Sequence, residues 1–518
     1  MAKKVKNNRL IINLIACLVS FCVTMGINFL LTPYITEKVG IEAYGFVSLA
    51  NSFVNYAAII TLALNSMASR FISVSYHKGE NREANEYFNS VLITNLFLVL
   101  ILFIPSIFLI IYLENVVTIS SDLVIFVKIL FALVFINFFI GLINTTFAVA
   151  TFIKDRVDLN NLRTMESNLL KAGLMIVLFA LYGPNIVFVG IAFLMATCYL
   201  LFFNIYYTRK LIPELKIKRA YFNIKKVITI FMSGIWNTVT KLGQVLADGL
   251  DLLVCNLFVN PVAMGELAVA KVVSTSLSTL TASLGAVFHP KMTYHYALDN
   301  KDDEINEIKL SMKIGAFFTN ILLSGIIALG LNLFALWIPS QNIKIIYYAT
   351  VVTIMGSFVG SSINSLFNVF TVTNKLKLNS LVTLLQGFLN VLIVYVLLKM
   401  NLFPGYEIVL ISGISVSIAI IKNLTFTPMY AAKCLKVKLT TFYSTIFNGI
   451  LSAIILTITF FIIGKIFNPS TWMQLIMCSI LCGVIGMIEN FYILFNKEQR
   501  NIAISMIRIK RERNKNEE

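Results

Sequence analysis

The sequence predicts an all-α integral membrane protein of fourteen transmembrane helices, in which two six-helix lobes form a parallel repeat and two extra helices follow. Three observations predict it. Hydrophobic residues make up 58% of the 518 and charged residues 13%, with mean hydropathy +0.83; a soluble domain is roughly 25% charged and could not bury so much apolar surface. Apolar, nearly charge-free segments recur between short polar breaks, each long enough for the roughly 20 residues that cross a bilayer as helix. Displacing the chain against itself by 221 residues lays the first six segments on the next six without a gap, although few letters match.

In chain order the spans are 10–35, 43–69, 91–113, 123–153, 164–182, 185–207, 227–257, 262–288, 313–338, 347–373, 379–399, 407–430, 441–465 and 472–495. The fifth and sixth are separated by the turn residues Gly183, Pro184 and Asn185. The first apolar stretch is too long for the core of a cleavable signal peptide. The repeat divides the chain into lobes 1–211 and 222–432, a helix pair 441–495 and a basic tail 496–518. Six is an even number, so both lobes share one orientation, as in alternating-access carriers with a midplane site between repeats.

Lys and Arg set the expected sidedness. With the amino terminus inside, the inner segments hold 34 of the 42 and the outer loops hold 4, namely Lys38, Lys344, Lys399 and Lys465. The remaining 4, Lys128, Lys241, Lys271 and Lys422, lie within spans. The 34 include Lys171 and Lys313, which fall inside spans 164–182 and 313–338 but are counted with the inner segments before them. This asymmetry puts both termini in the cytoplasm and accounts for the net charge of +17 without nucleic acid. The basic runs 209–226 and 508–515 read as solvated or headgroup-facing segments. Cys17, Cys22, Cys198, Cys255, Cys434, Cys478 and Cys482 read as small hydrophobes, with no disulfide framework. No phosphate-binding GxxxxGK[ST] loop is present, and His77, His289 and His295 lack metal-ligand spacing.

Polar stripes mark the candidate site. Ser20, Thr24 and Asn28 recur every four residues on one face of the first span. Ser48, Asn51 and Asn55 follow in the second, Asn137 and Asn144 in the fourth, and Ser357, Ser361, Asn364 and Asn368 in the tenth. Interhelical hydrogen bonding explains any one of these; together they favour a wet cavity. Charges within a bilayer cost at least roughly 2.5–3.5 kcal/mol each. Lys128 (near Asp122) can snorkel to the outer end of its span and Lys422 to the inner end, and Glu489 sits near the inner end of the last span. The hairpin of spans seven and eight is different, carrying Lys241, Asp248, Asp251, Glu266 and Lys271. Counted from Asn260, Asp248 and Lys271 reach about the same depth, near midplane. Lys241 stands seven residues from Asp248 on the same face of a regular helix, and Ser274, Ser278 and Thr281 extend the Lys271 face. Two readings stay open: an internal Asp248–Lys271 salt bridge, or lysines that project into a cavity and bind an anionic head group, with the carboxylates tuning them or binding a cation.

The run Val39-Gly-Ile-Glu-Ala-Tyr-Gly-Phe-Val-Ser-Leu-Ala50 resembles the entrance to span two in the polysaccharide transporter family, the Wzx-type flippases of the multidrug/oligosaccharidyl-lipid/polysaccharide superfamily. Met264-Gly-Glu-Leu-Ala-Val-Ala-Lys271 with Phe288-His-Pro-Lys291 resembles the matching segment of the second half. The six-plus-six-plus-two layout extends the resemblance over the whole chain. It implies a MATE/MurJ-like fold in a bacterial cytoplasmic membrane, working as a monomer among membrane lipids. The implied substrate is an undecaprenyl-pyrophosphate-linked oligosaccharide, turned to the outer leaflet for capsule, O-antigen or teichoic-type polymers. Lys241 and Lys271 then meet the pyrophosphate. The resemblance implies no bound cofactor and leaves a coupling Na+ or H+ open; Asp248 or Asp251 with Asn390 can hold a cation.

The rivals are a cation-coupled multidrug exporter, a peptidoglycan-precursor flippase and, from another class, a membrane polymerase or glycosyltransferase. Against the exporter, the first span has no charge between Arg9 and Glu37. Against the enzyme, every outer loop is short.

Overall fold

The computed structural model describes residues 2–298, 300–400 and 404–501, and within them the regular structure is helical throughout. The helices are α1 (Ala2–Lys38), α2 (Ile41–His77), α3 (Asn81–Ile111), α4 (Leu113–Val116), α5 (Val124–Ile153), α6 (Val157–Tyr182) and α7 (Ile186–Leu211). After a linker come α8 (Ile224–Gln244), α9 (Asp251–Phe258), α10 (Pro261–Ala297), α11 (Lys301–Trp337), α12 (Ile343–Val372) and α13 (Leu376–Lys399). The last are α14 (Glu407–Leu424), α15 (Phe426–Leu435), α16 (Tyr443–Phe467) and α17 (Trp472–Leu494). Most of the tail 496–518 lies outside the described residues.

Among the described residues, twelve helices are long and apolar enough to cross a membrane. The predicted fourteen include two more positions, filled by α1 and by the α8–α9 segment. The predicted seventh span is not one regular helix. A π-helical turn, Val245–Gly249, interrupts it, so counting by sevens no longer returns to one face and Lys241 and Asp248 lose the alignment expected of them. The expected break after Tyr182 is present: Gly183 takes φ 82°, and Asn185 caps α7 by accepting from the Val187 amide at 2.9 Å.

The chain forms two compact units, Met1–Ala268 with Ser380–Val391, and Val269–Asn379 with Leu392–Glu518. The first thus contains α8, α9, the start of α10 and a strip of α13, beyond the six helices of the first repeat. Glycines explain the adhesion. A Cβ at Gly387 would lie 2.5 Å from the Gly243 carbonyl oxygen, and one at Gly265 would lie 2.2 Å from that of Ile41. Backbones this close exclude any side chain. Leu64, Ile72, Phe88, Val91 and Phe147 centre an apolar core in this unit.

In the second unit the two helices beyond the repeat are tied in by a polar knot. Asn320 on α11 donates to the Gly449 carbonyl at 2.8 Å and accepts from Ser361 at 3.0 Å. Asn490 on α17 donates to the Phe317 carbonyl at 2.8 Å. Cys478 and Cys482 pack with Leu329, Leu456 and Phe460 as buried hydrophobes. Large apolar side chains such as Leu100, Ile104, Phe108, Ile476 and Ile480 face outward, as expected where the solvent is hydrocarbon.

Candidate functional site

A continuous polar face lies on α6. Asn160, Arg163, Thr164, Ser167, Asn168 and Lys171 recur at the three- and four-residue spacing that places them on one helix face. The stripe predicted on the first span meets this face. Asn168 donates to the Thr24 hydroxyl at 3.0 Å and the Lys171 ammonium donates to Asn28 Oδ1 at 3.3 Å. Numbers rise together along both helices, so α1 and α6 run parallel, as two odd-numbered spans must.

Lys171 is half-buried and stands fourteen residues into α6, about 21 Å along its axis. Its other contact is the Phe193 ring on α7, 5.1 Å from the ring centre. It has no carboxylate partner among the described residues. Sequence counting placed Lys171 with the inner segment before the fifth span, and the site was missed for that reason. The signal was available: two cations, a carboxylate and two amides share one helical face inside an apolar span.

Nearer the start of α6, Arg163 donates through Nη1 to Glu166 at 2.5 Å and to the Tyr199 hydroxyl at 3.3 Å. Its Nε donates to the Tyr207 hydroxyl at 2.9 Å, and the guanidinium lies 4.1 Å from the centre of the Phe203 ring. Ser167 fixes the α6–α7 register by donating to the Ala196 carbonyl at 2.9 Å.

The π turn forms a second polar centre in the same unit. Asn390 on α13 braces it by donating to the Leu246 and Ala247 carbonyls at 3.3 and 2.7 Å. The Tyr56 hydroxyl donates to the Gly249 carbonyl at 2.7 Å. Asp251 is buried at 4% exposure, whereas Asp248 is exposed. Asn390 is itself only 3% exposed, and its Oδ1 has no partner among the described residues. Lys241 is half-buried, with no carboxylate partner among the described residues.

The remaining predicted residues are dispersed. Asn51 donates to the Val47 carbonyl of its own helix at 2.9 Å, while Asn55 is exposed. Asn144 accepts from Asn204 at 2.8 Å. In the second unit Lys271 is half-buried and Ser278 exposed. Asn364 and Asn368 donate to the Thr281 and Gly285 carbonyls at 2.9 and 3.1 Å, zipping α12 to α10 one turn apart. Those two amides therefore act as interhelical ties. Lys128, expected to snorkel near Asp122, instead pairs with Glu114 at 2.6 Å. Among the described residues no group of three or more His, Cys, Asp and Glu could hold a metal ion.

A model of the family described as polysaccharide biosynthesis protein matches residues 10–294, more than half of the chain. The chain belongs to this family. Uncharacterized membrane protein EpsK of Bacillus subtilis (strain 168) is 25% identical over 502 residues, 96% of this chain and 98% of that protein. A structure of the lipid II flippase MurJ in an inward closed conformation superposes with TM-score 0.67 at 17% identity, covering 92% of this chain and 98% of that one. An inward-facing multidrug resistance MATE family transporter of the MOP superfamily gives 0.58 at 16% identity, covering 80% and 95%. This member of the polysaccharide biosynthesis protein family thus has the fold seen in MurJ and the MATE transporter.

Proposed function

We propose that the protein moves undecaprenyl-pyrophosphate-linked oligosaccharide units from the inner to the outer leaflet of a bacterial cytoplasmic membrane, by alternating access, for capsule, O-antigen or teichoic-type polymers. The observation that carries this reading is Lys171, an ammonium group deep in α6 whose partners are an amide oxygen and an aromatic ring. A cation without a carboxylate partner at that depth is costly and marks a pathway for anions. Hydroxyl and amide groups of Thr24, Asn28 and Asn168 surround it and offer sugars or phosphates hydrogen bonds in place of water. Lys241 supplies a second cation in this reading. A pyrophosphate cannot cross hydrocarbon unaided, whereas its isoprenoid tail can stay in lipid.

Both termini lie in the cytoplasm in this reading, and the working unit is a monomer. A coupling Na+ or H+, if the transport uses one, would be held by Asp251 and Asp248 with Asn390 Oδ1. The test is flipping of undecaprenyl-pyrophosphate oligosaccharide in vesicles containing the purified protein, compared with lipid II and with a cationic drug. Selective movement of the oligosaccharide lipid is expected. Movement of the drug alone, or of lipid II alone, contradicts the reading.

A further inference from the structure

We propose that Arg163 is the first docking point for the diphosphate of an arriving lipid-linked substrate, and that Glu166 stands in for that diphosphate until it arrives; this rests on the function proposed above. Arg163 lies six residues into α6, about 9 Å from its start, and Lys171 is about 12 Å further along the same face. The spacing offers an anion two successive stations, one at headgroup depth and one near midplane.

The guanidinium is prepared for such a ligand. Tyr207 holds Nε and Phe203 stacks against the plane, so the side chain has already lost the freedom that binding would remove. No described residue accepts from Nη2, leaving that edge of a planar fork suited to bidentate phosphate recognition. The guanidinium is half-buried, and Glu166 supplies it a counter-charge through a single oxygen, Oε2. The same oxygen accepts from the Tyr199 hydroxyl at 2.5 Å. When a diphosphate takes over Nη1, Glu166 therefore keeps one donor, and its side chain is 33% exposed. The pair can open without stranding a bare carboxylate. A clamp between α6 and α7 would need Arg163 only to bridge to Tyr199 and Tyr207; Glu166 lies on α6 itself and adds nothing to that bridge except its hydrogen bond from Tyr199.

The experiment titrates the full chain in lipid nanodiscs with undecaprenyl pyrophosphate, using undecaprenol as the uncharged control, and records melting temperature alongside. Glu166→Gln removes the competing charge and should tighten diphosphate binding about tenfold, the change produced by roughly 1.4 kcal/mol, while leaving undecaprenol binding unchanged. Arg163→Gln should weaken diphosphate binding about tenfold or more, and Arg163→Lys should restore only part of it, because the fork is lost. Unchanged diphosphate affinity in Glu166→Gln overturns the proposal, whatever happens to stability. If that variant binds as wild type while Lys171→Gln abolishes binding, the docking role fails and the transport function stands. If the wild-type protein binds no diphosphate lipid, both fall.

Discussion

Helices α6 and α13 occupy equivalent places in the 221-residue repeat, yet they present opposite chemistry. Arg163, Glu166, Asn168 and Lys171 correspond to Leu384, Gly387, Leu389 and Leu392. On α6 this face meets the hydroxyl and amide of Thr24 and Asn28. On α13 it receives another backbone: Gly387 lies against Gly243 of α8, and a Cβ at Gly243 would be 2.6 Å from the Leu384 amide. Duplication preserved where helices lie but not what they carry. Lipid and neighbouring backbone accept any apolar letter that fits, so one copy was free to become a packing surface while the other kept charge.

The comparison can be broken by forcing side chains onto the packing face. Gly387→Val places atoms where the Gly243 carbonyl already stands, and overpacking of this kind costs about 1–3 kcal/mol or more. A fall in the detergent melting temperature of the purified protein, with less of it reaching the membrane, is the expected result; wild-type stability would show that α8 and α13 are not in backbone contact. A smaller effect sharpens the other half of the comparison. Asn168→Leu removes the bond to Thr24, and interhelical bonds in membranes average about 0.6 kcal/mol. Stability should barely change while transport falls, separating a liganding face from a packing one. A large loss of stability with proportionate loss of transport would make Asn168 a structural tie.

Much of this architecture was legible in the chain. Span order, the break at Gly183–Asn185 and the stripe through Thr24 and Asn28 follow from apolar length, turn residues and helical period, all of them local. The partner of that stripe was written just as openly on α6, but Arg163 and Lys171 look like loop charges when cations are counted by segment instead of by face. The π turn at Val245–Gly249 was beyond reach. It is held by Tyr56 and Asn390, more than 140 residues away in either direction, and no local pattern announces such support. The same holds for the strip Ser380–Val391 joining the first unit, which depends on glycines meeting across space. Asn364 and Asn368 show the converse limit: a polar stripe looks the same in sequence whether it faces a cavity or a neighbour's carbonyls.

The most direct test of the charged α6 face is the rate at which Lys171→Gln moves oligosaccharide-linked undecaprenyl pyrophosphate across vesicles containing equal amounts of folded protein. Losing one midplane cation should slow flipping at least about tenfold, the equivalent of roughly 1.4 kcal/mol, and Lys171→Arg should restore most of the rate. A glutamine variant that transports at the wild-type rate would contradict the account.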